Sequence, residues 1–416
     1  MNLSHFIAAF LFYLSMCKGY LTTHRFFTRR TIETSRCRSL LSTGGTSLSS
    51  SASSSNVAKY TSLSAPVSAS KVERKTFNRF MQIELWRTPE LEALYPILCS
   101  IEVACRDINR LMRRISTDNL DGLHGNINVQ GEDQKKLDVI ANRIMKNALC
   151  CSGKISIVAS EEDERPCLCS AVTDNSNSAF SNGEFAAVFD PLDGSSNIDS
   201  GLPTGTIFGI YQNPKYGPRD PLTTTTQKGS ELIVAGYCLY SAACHIVITL
   251  RTGLHIFTLD DVTGEFYLTR SNVRIPRSGP IYSFNDANAA TWDPAVNYFL
   301  SDLKTKSIRN KSCSKNPSAR YIGALVADVH NILINGGIFG YPGSKIKPEG
   351  KLRLLYEANP IAMMIEEAGG MASNGFGRIL DMPVKDVHQR TPLFVGSVDE
   401  VSELQRYMTF FQAGSK

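Results

Sequence analysis

The chain reads as a mixed α/β protein, and three observations carry that reading. Residues 91–114 place Leu94, Ile97, Leu98, Ile101, Ala104, Cys105, Ile108 and Leu111 at three- and four-residue steps, the period of an amphipathic helix. Phe185-Ala186-Ala187-Val188 is an apolar run of strand length that ends in a charged turn. Between residues 206 and 268, short β-branched and aromatic runs follow one another across turn residues, as in an antiparallel sheet.

Composition bounds the problem. With 416 residues and 42% hydrophobic content, the chain can bury one or two substantial cores and is not a disordered protein. The net charge of +5 is concentrated at one end: Lys18, Arg25, Arg29, Arg30, Arg36, Arg38 and Lys59 face a single acid, Glu33, within residues 1–70. The remainder is close to neutral, so nothing in it suggests a nucleic-acid partner. Eleven cysteines form no Cys-x-x-Cys pair or His-rich spacing that would mark a zinc site. Their irregular spacing reads as mostly free thiols in a reducing compartment. Cys150-Cys151 and Cys167-x-Cys169 are the exceptions, where a regulatory disulfide competes with the commoner reading of bystander thiols.

Residues 1–70 read as a targeting leader. Residues 6–16 are an apolar run too short to span a bilayer but of the length of a signal-peptide core. An arginine- and serine-rich stretch with almost no acid follows, the composition of a transit peptide. A signal core followed by a transit-like segment predicts two-step delivery to a plastid; a mitochondrial presequence, secretion, or a cytoplasmic protein with a later start are the alternatives. No mature membrane span is predicted.

From residue 71 the composition is globular. The helix at 91–114 has packing as its simplest role. Gly122-Leu123-His124-Gly125 reads as a glycine-rich link, and Glu132, Asp133 and Asp138 open a helical pattern at Leu137, Ile140, Ile144 and Ala148. Acids in a first helical turn are favoured by the helix dipole, so capping alone accounts for them. Ile155, Ile157 and Val158 form a strand that delivers Glu161-Glu162-Asp163-Glu164. Four adjacent acids usually mark a solvated turn; at the end of a buried strand they could instead form a metal cage with Asp190.

The stretch Phe189-Asp190-Pro191-Leu192-Asp193-Gly194-Ser195-Ser196-Asn197-Ile198-Asp199 concentrates the chemistry. Asp190 and Asp193 bracket a turn, Gly194 lets it be tight, and Ser195 and Ser196 can start a helix whose N–H groups suit a phosphate. Carboxylates for a cation beside amides for an anion suggest metal-assisted phosphate chemistry. Strands are then expected at 206–211, 232–237, 246–250, 254–257 and 266–268, with a polar loop at 212–229. The link at 275–280 divides a first domain, 71–275, from a second, 276–416. In the second, helices are expected at 324–333, 354–368 and 400–411, the middle one stopped by Gly369-Gly370. Strands are expected at 281–284, 337–341 and 393–396.

Gly131-Glu132-Asp133-Gln134-Lys135-Lys136-Leu137-Asp138, Ser160-Glu161-Glu162-Asp163, the 189–199 stretch, Tyr282-Ser283-Phe284-Asn285, Ala319-Arg320-Tyr321-Ile322-Gly323 and Gly350-Lys351-Leu352-Arg353-Leu354-Leu355-Tyr356-Glu357 occur in that order. Together they strongly resemble class I fructose-1,6-bisphosphatase over about residues 75–410. The resemblance implies a layered α/β/α/β/α protomer in a homotetramer, with two to three Mg²⁺ ions per site. It implies hydrolysis of fructose 1,6-bisphosphate to fructose 6-phosphate and phosphate, in gluconeogenesis or the Calvin cycle.

By the same resemblance, Glu161, Glu162, Asp190, Asp193, Glu357 and the Leu192 carbonyl are metal ligands, and Asp138 and Glu162 orient and deprotonate the attacking water. Glu132 matches the acid that pairs with Arg353. Gly194, Ser195, Ser196 and Lys351 match the site of the scissile phosphate. Asn285, Arg320, Tyr321 and Tyr341 match the pocket for the distal phosphate, with Arg320 reaching in from a neighbouring subunit. Two regulatory features depart from the family. Glu184 stands where animal members carry a lysine for inhibitory AMP, which disfavours a nucleotide phosphate there. The 212–229 loop contains no cysteine, unlike the thioredoxin-controlled insertion of plant plastid members. Sedoheptulose-1,7-bisphosphatase is the nearest enzymatic alternative, inositol monophosphatase a more distant one, and a non-catalytic scaffold of the same fold the alternative of another class.

Overall fold

Apolar residues at strand and helix periods sort the chain into five layers. The computed structural model describes residues 74–115, 117–118, 123–127, 133–172, 183–213, 220–309 and 317–414. The first layer is helical: α1 (Phe77–Trp86), α2 (Tyr95–Arg113) and α3 (Lys136–Cys151). Thr76 caps α1 by accepting the Arg79 N–H at 3.3 Å. The predicted helix at 91–114 begins as a 3₁₀ turn, Pro89–Leu94, and becomes α-helical at Tyr95, where Pro96 suits the first turn. The stretch read as a glycine-rich link instead contributes β1 (Leu123–Ile127), paired antiparallel with β2 (Asp133–Lys135). Neither α1 nor a later helix, Pro294–Arg309, is announced by the sequence pattern.

The second layer is an eight-stranded sheet of β3 (Ile155–Ser160), β4 (Cys167–Leu168), β5 (Phe185–Asp193), β6 (Thr204–Gln212), β7 (Leu232–Tyr240), β8 (Cys244–Thr249), β9 (Leu254–Asp260) and β10 (Glu265–Arg270). Its order is β10-β9-β8-β7-β6-β5-β3-β4, with β3 and β5 parallel and the other neighbours antiparallel. The two-residue period divides its side chains between two cores. Phe208 and Ile210 pack with α1, α2 and α3 on one face, and Ile207 and Tyr211 belong to the core on the other.

Beyond lie α4 (Pro294–Arg309), α5 (Leu325–Asn335), α6 (Asn359–Glu367) and α7 (Val398–Gly414). The remaining strands are β11 (Ile281–Ser283), β12 (Ser318–Ala319), β13 (Gly337–Tyr341), β14 (Leu352–Arg353), β15 (Met371–Ser373), β16 (Arg390–Thr391) and β17 (Leu393–Gly396). A five-stranded sheet runs β12-β11-β13-β17-β15, and β14 pairs with β16. Helices α5 and α6 share one core with both large sheets, and α4 and α7 cover the outer face of the five-stranded sheet through Phe299, Leu300, Val401 and Leu404. Helices, sheet, helices, sheet, helices is the predicted α/β/α/β/α layering. Residues 71–416 form one compact unit.

Two local findings bear on the site. The helix expected at 354–368 opens as a π-helical turn, Leu354–Ala358, before α6 begins; such turns recur at functional positions. The cysteines also depart from expectation. Six of the described ones are free, but Cys150 at the end of α3 is disulfide-bonded to Cys169. Cys167, weighed with Cys169 on the sequence, stays a thiol 3.8 Å from the Asp163 carboxylate. The partner of Cys169 is set by α3 packing against β3, which brings the two Cα atoms within 5.0 Å.

Candidate active site

Parallel pairing of β3 with β5 sets Ser160 opposite Phe189, so Glu161 and Asp190 leave adjacent strand ends side by side. The Glu161 N–H donates to the Phe189 carbonyl at 3.2 Å and holds that register. Between Asp190 and Asp193 the pairing with β6 shifts, a bulge that bends the strand end. Asp190 Oδ1 accepts the Leu192 N–H at 2.9 Å, and Thr206 donates to the Pro191 carbonyl at 2.8 Å. Gly194 then adopts φ +76°, and a Cβ on it would lie 2.5 Å from the Ala324 side chain, so no larger residue fits. The helix expected from Ser195 is a six-residue 3₁₀ turn, Ser195–Ser200.

Three further elements close the site. Asp193 Oδ2 accepts the Val326 N–H at 2.7 Å, tying the turn to the first residues of α5. Glu357 sits in the π turn and accepts the Arg353 N–H. Asp138 lies in the first turn of α3, where one oxygen caps the helix by accepting the Lys135 N–H at 2.9 Å. Its other oxygen is buried without a hydrogen-bond partner among the described residues, so capping uses only half of the carboxylate. Asp138 lines the same cavity as the strand-end acids.

Carboxylate oxygens of Glu161, Asp190 and Glu357 all lie within 4.8 Å of one another, and all three residues are buried. The buried Arg353 guanidinium pairs with Glu161 at 2.8 Å. The resemblance pairs this arginine with Glu132, which lies outside the described residues. Arg353 and Lys351 do not balance this many acids, and burial together with the neighbouring carboxylates raises the acids' hold on protons. Asp190 is pushed well above the ordinary carboxylate range, chiefly by burial and then by Glu161. Burial raises Asp193 to about 7 against hydrogen bonds from the Val326 and Leu325 amides. Glu357 rises to about 8, mainly through burial, with Arg353 partly offsetting it. Asp138 rises to about 7, again mainly through burial, with Glu162 and Glu161 adding to it. An all-oxygen, acid-rich donor set of this kind fits a hard divalent cation.

The acids line a cavity of about 170 Å³, together with Leu192, Gly194, Ser195 and Ser196. Tyr321, Tyr341, Lys351 and Arg353 line it as well. Asn285 lies outside the lining but close enough to Tyr321 for its side chain to lower that phenol's proton affinity against the effect of burial. Arg320 is exposed, its guanidinium donating to the Ala319 carbonyl at 2.8 Å, and is not brought into this chain's own cavity. Sequence reading missed Asp328. This acid, 1% exposed, accepts from Ser283 Oγ at 2.8 Å, Ile322 N–H at 2.9 Å and Gly323 N–H at 3.0 Å, and so shapes the loop beside Tyr321. An aspartate inside the apolar run Leu325-Val326-Ala327-Asp328-Val329 was the available signal.

A five-layered α/β fold with a buried oxygen-donor cluster beside a glycine-serine turn is the arrangement of a metal-dependent phosphatase. Family models for the N-terminal and C-terminal domains of fructose-1,6-bisphosphatase match residues 75–271 and 275–409. The chain belongs to the fructose-1,6-bisphosphatase family, whose members are metal-dependent. It is 41% identical over 364 residues to the chloroplastic fructose-1,6-bisphosphatase of Oryza sativa, covering 83% of this chain and 86% of that one. The cytosolic form of Brassica napus is 42% identical over 331 residues, covering 79% and 94%. Among solved structures, the holo form of Leishmania major fructose-1,6-bisphosphatase superposes with a TM-score of 0.73 at 35% identity, covering 80% of this chain and 98% of that one.

Proposed function

We propose that this protein hydrolyses fructose 1,6-bisphosphate to fructose 6-phosphate and phosphate with Mg²⁺ as cofactor. The observation that carries the reading is the meeting of Glu161, Asp190 and Glu357, from three separate elements, beside the Gly194–Ser196 turn. These acids, with Asp193, Glu162 and the Leu192 carbonyl, would hold two to three ions per site. Bound Mg²⁺ supplies charge neutralisation at the phosphate and lowers the pKa of the attacking water.

The chain's own groups do the rest. The half-used carboxylate of Asp138, with Glu162, takes the proton of the attacking water. Gly194, Ser195 and Ser196 receive the scissile phosphate, with Lys351 adding a positive charge. As the ester bond breaks, the electron pair stays on the sugar oxygen, which is then protonated. Tyr321, Tyr341 and Asn285 receive the distal phosphate, and Arg320 completes that pocket for a neighbouring subunit of a homotetramer. Glu132 is the remaining acid of the proposed machinery. Chloroplastic relatives and the arginine- and serine-rich leader support a plastid location, and no helix among the described residues is long and apolar enough to cross a membrane. Phosphate release is measured with fructose 1,6-bisphosphate and with sedoheptulose 1,7-bisphosphate, with and without Mg²⁺. Faster Mg²⁺-dependent release from the fructose ester, largely abolished in Asp193→Ala, is the expected result; no release, or preference for the sedoheptulose ester, overturns the proposal.

A further inference from the structure

One histidine joins the two segments that carry the buried acids. His388 Nδ1 lies 2.8 Å from the Tyr356 hydroxyl, and its Nε2 lies 3.0 Å from the Asp163 carbonyl, 225 residues away in sequence. Tyr356 immediately precedes Glu357, and Asp163 immediately follows Glu161-Glu162. A carbonyl oxygen can only accept, so Nε2 carries the proton and donates to it; in the neutral ring Nδ1 then accepts from the tyrosine. Both ends of the imidazole are thereby committed, and its orientation is determined.

The ring is itself anchored. The His388 N–H donates to Asp386 Oδ1 at 2.8 Å, and the next residue's carbonyl, on Gln389, accepts the Leu354 N–H at the head of the π turn at 2.7 Å. At the other end, the Asp163 carboxylate is held by Lys146 Nζ at 2.7 Å and Asn142 Nδ2 at 3.2 Å. Both of those residues lie on α3, which also carries Asp138. A continuous path therefore runs from α3 through Asp163 and His388 to the π turn. It links the segments that bring Asp138, Glu161 and Glu357 to one cavity. Like-charged carboxylates packed this closely repel, and a cross-link from outside the cluster resists that separation alongside the Arg353–Glu161 pair.

We propose that His388 is a positioning residue of the cation site: it sets the separation of the Glu161-Glu162 loop from the Glu357 turn without touching ion or substrate. This rests on the assignment of those acids to metal in the proposed function. Loss of a hydrogen bond to a metal ligand itself costs about 10–100-fold in metal affinity, and His388 acts one residue removed from the ligands, which places its effect at the lower end of that range. The test is calorimetric titration of the purified protein with Mn²⁺, beside the Mg²⁺ half-saturation and sugar KM of phosphate release. His388→Ala is expected to weaken Mn²⁺ binding and raise the Mg²⁺ half-saturation about tenfold, with KM for the sugar changed less than about twofold. His388→Gln keeps one donor and one acceptor and should recover part of the loss. Tyr356→Phe, which removes only a hydroxyl, guards against misfolding of the alanine variant and should weaken Mn²⁺ in the same direction. In the double variant the two effects should not add. Unchanged Mn²⁺ affinity in His388→Ala and Tyr356→Phe, or a loss that Gln does not relieve, overturns the proposal. Because Mn²⁺ binding is read without substrate, an enzyme inert toward the sugar would remove the substrate assignment and leave this test standing.

Discussion

Asp328→Ala removes a single acceptor on which three donors converge: Ser283 Oγ, Ile322 N–H and Gly323 N–H. A buried donor left without a partner costs about 1–3 kcal/mol. Ser283 is 1% exposed and bears that cost in full, Ile322 is half-buried and bears part of it, and the exposed Gly323 can turn to water. Against this, burial already raises the Asp328 pKa, so deleting the carboxylate also relieves a desolvation cost. The balance is a loss of about 2–3 kcal/mol, or roughly 3–4 °C in Tm for a chain of this size. Asp328→Asn keeps one acceptor oxygen, enough for Ser283 and Ile322, and turns an amide N–H₂ toward Gly323; its loss should be about 1 kcal/mol. Released from Asp328, residues 322–323 no longer hold Tyr321 at the cavity wall, so the sugar KM should rise more than kcat falls. Thermal unfolding and steady-state kinetics of the two variants check both halves. An alanine variant whose Tm lies within about 1 °C of the parent's, with unaltered KM, would refute the assignment of Asp328 as the anchor of this loop.

Two further outcomes follow from the site's surroundings. Glu357 is raised from 4.5 to about 8 and Asp193 from 3.8 to about 7; such carboxylates hold protons that the unfolded chain has released, so their contribution is fully present below the unfolded values and lost as pH rises through about 7–8. A divalent cation replaces those protons, so Mg²⁺ should raise Tm more at about pH 8 than at about pH 6, relative to a chelated control, and equal increments would contradict the coupling. Reducing the Cys150–Cys169 bond, which spans 19 residues, should cost about 3 kcal/mol of stability. Cys150→Ser should match the reduced parent and be insensitive to dithiothreitol, whereas a Tm unmoved by reduction of the parent would show that the bond does not form in solution.

Much of the architecture was legible because it is local. The alternation that sends Phe208 to one core and Ile207 to the other is a two-residue period, and the stripe through Ile97, Ile101 and Ile108 is a helical one. The turn at residues 189–199 was legible for the same reason: a strand end, a bracketing pair of aspartates and a glycine are neighbours in sequence. The helix expected from Ser195 failed at the scale where the bulge and the αL glycine decide the geometry. The resemblance assigns Arg320 to a neighbouring subunit's pocket, and its exposed guanidinium is not placed at this chain's own cavity, because one chain holds only what its own backbone reaches.

The sequence by itself determined the class of chemistry, since hard oxygen ligands and a tight turn are properties of residue type and short spacing. The tertiary structure decided which acids share one cavity. Glu161, Asp190 and Glu357 meet only because β3 lies parallel to β5 and a π turn is held across from them by Arg353 and His388. It likewise chose Cys150 for Cys169 and Asp328 for the loop beside Tyr321. Those pairings join residues far apart along the chain, and their energies depend on burial and distance, quantities that exist only once the layers have packed.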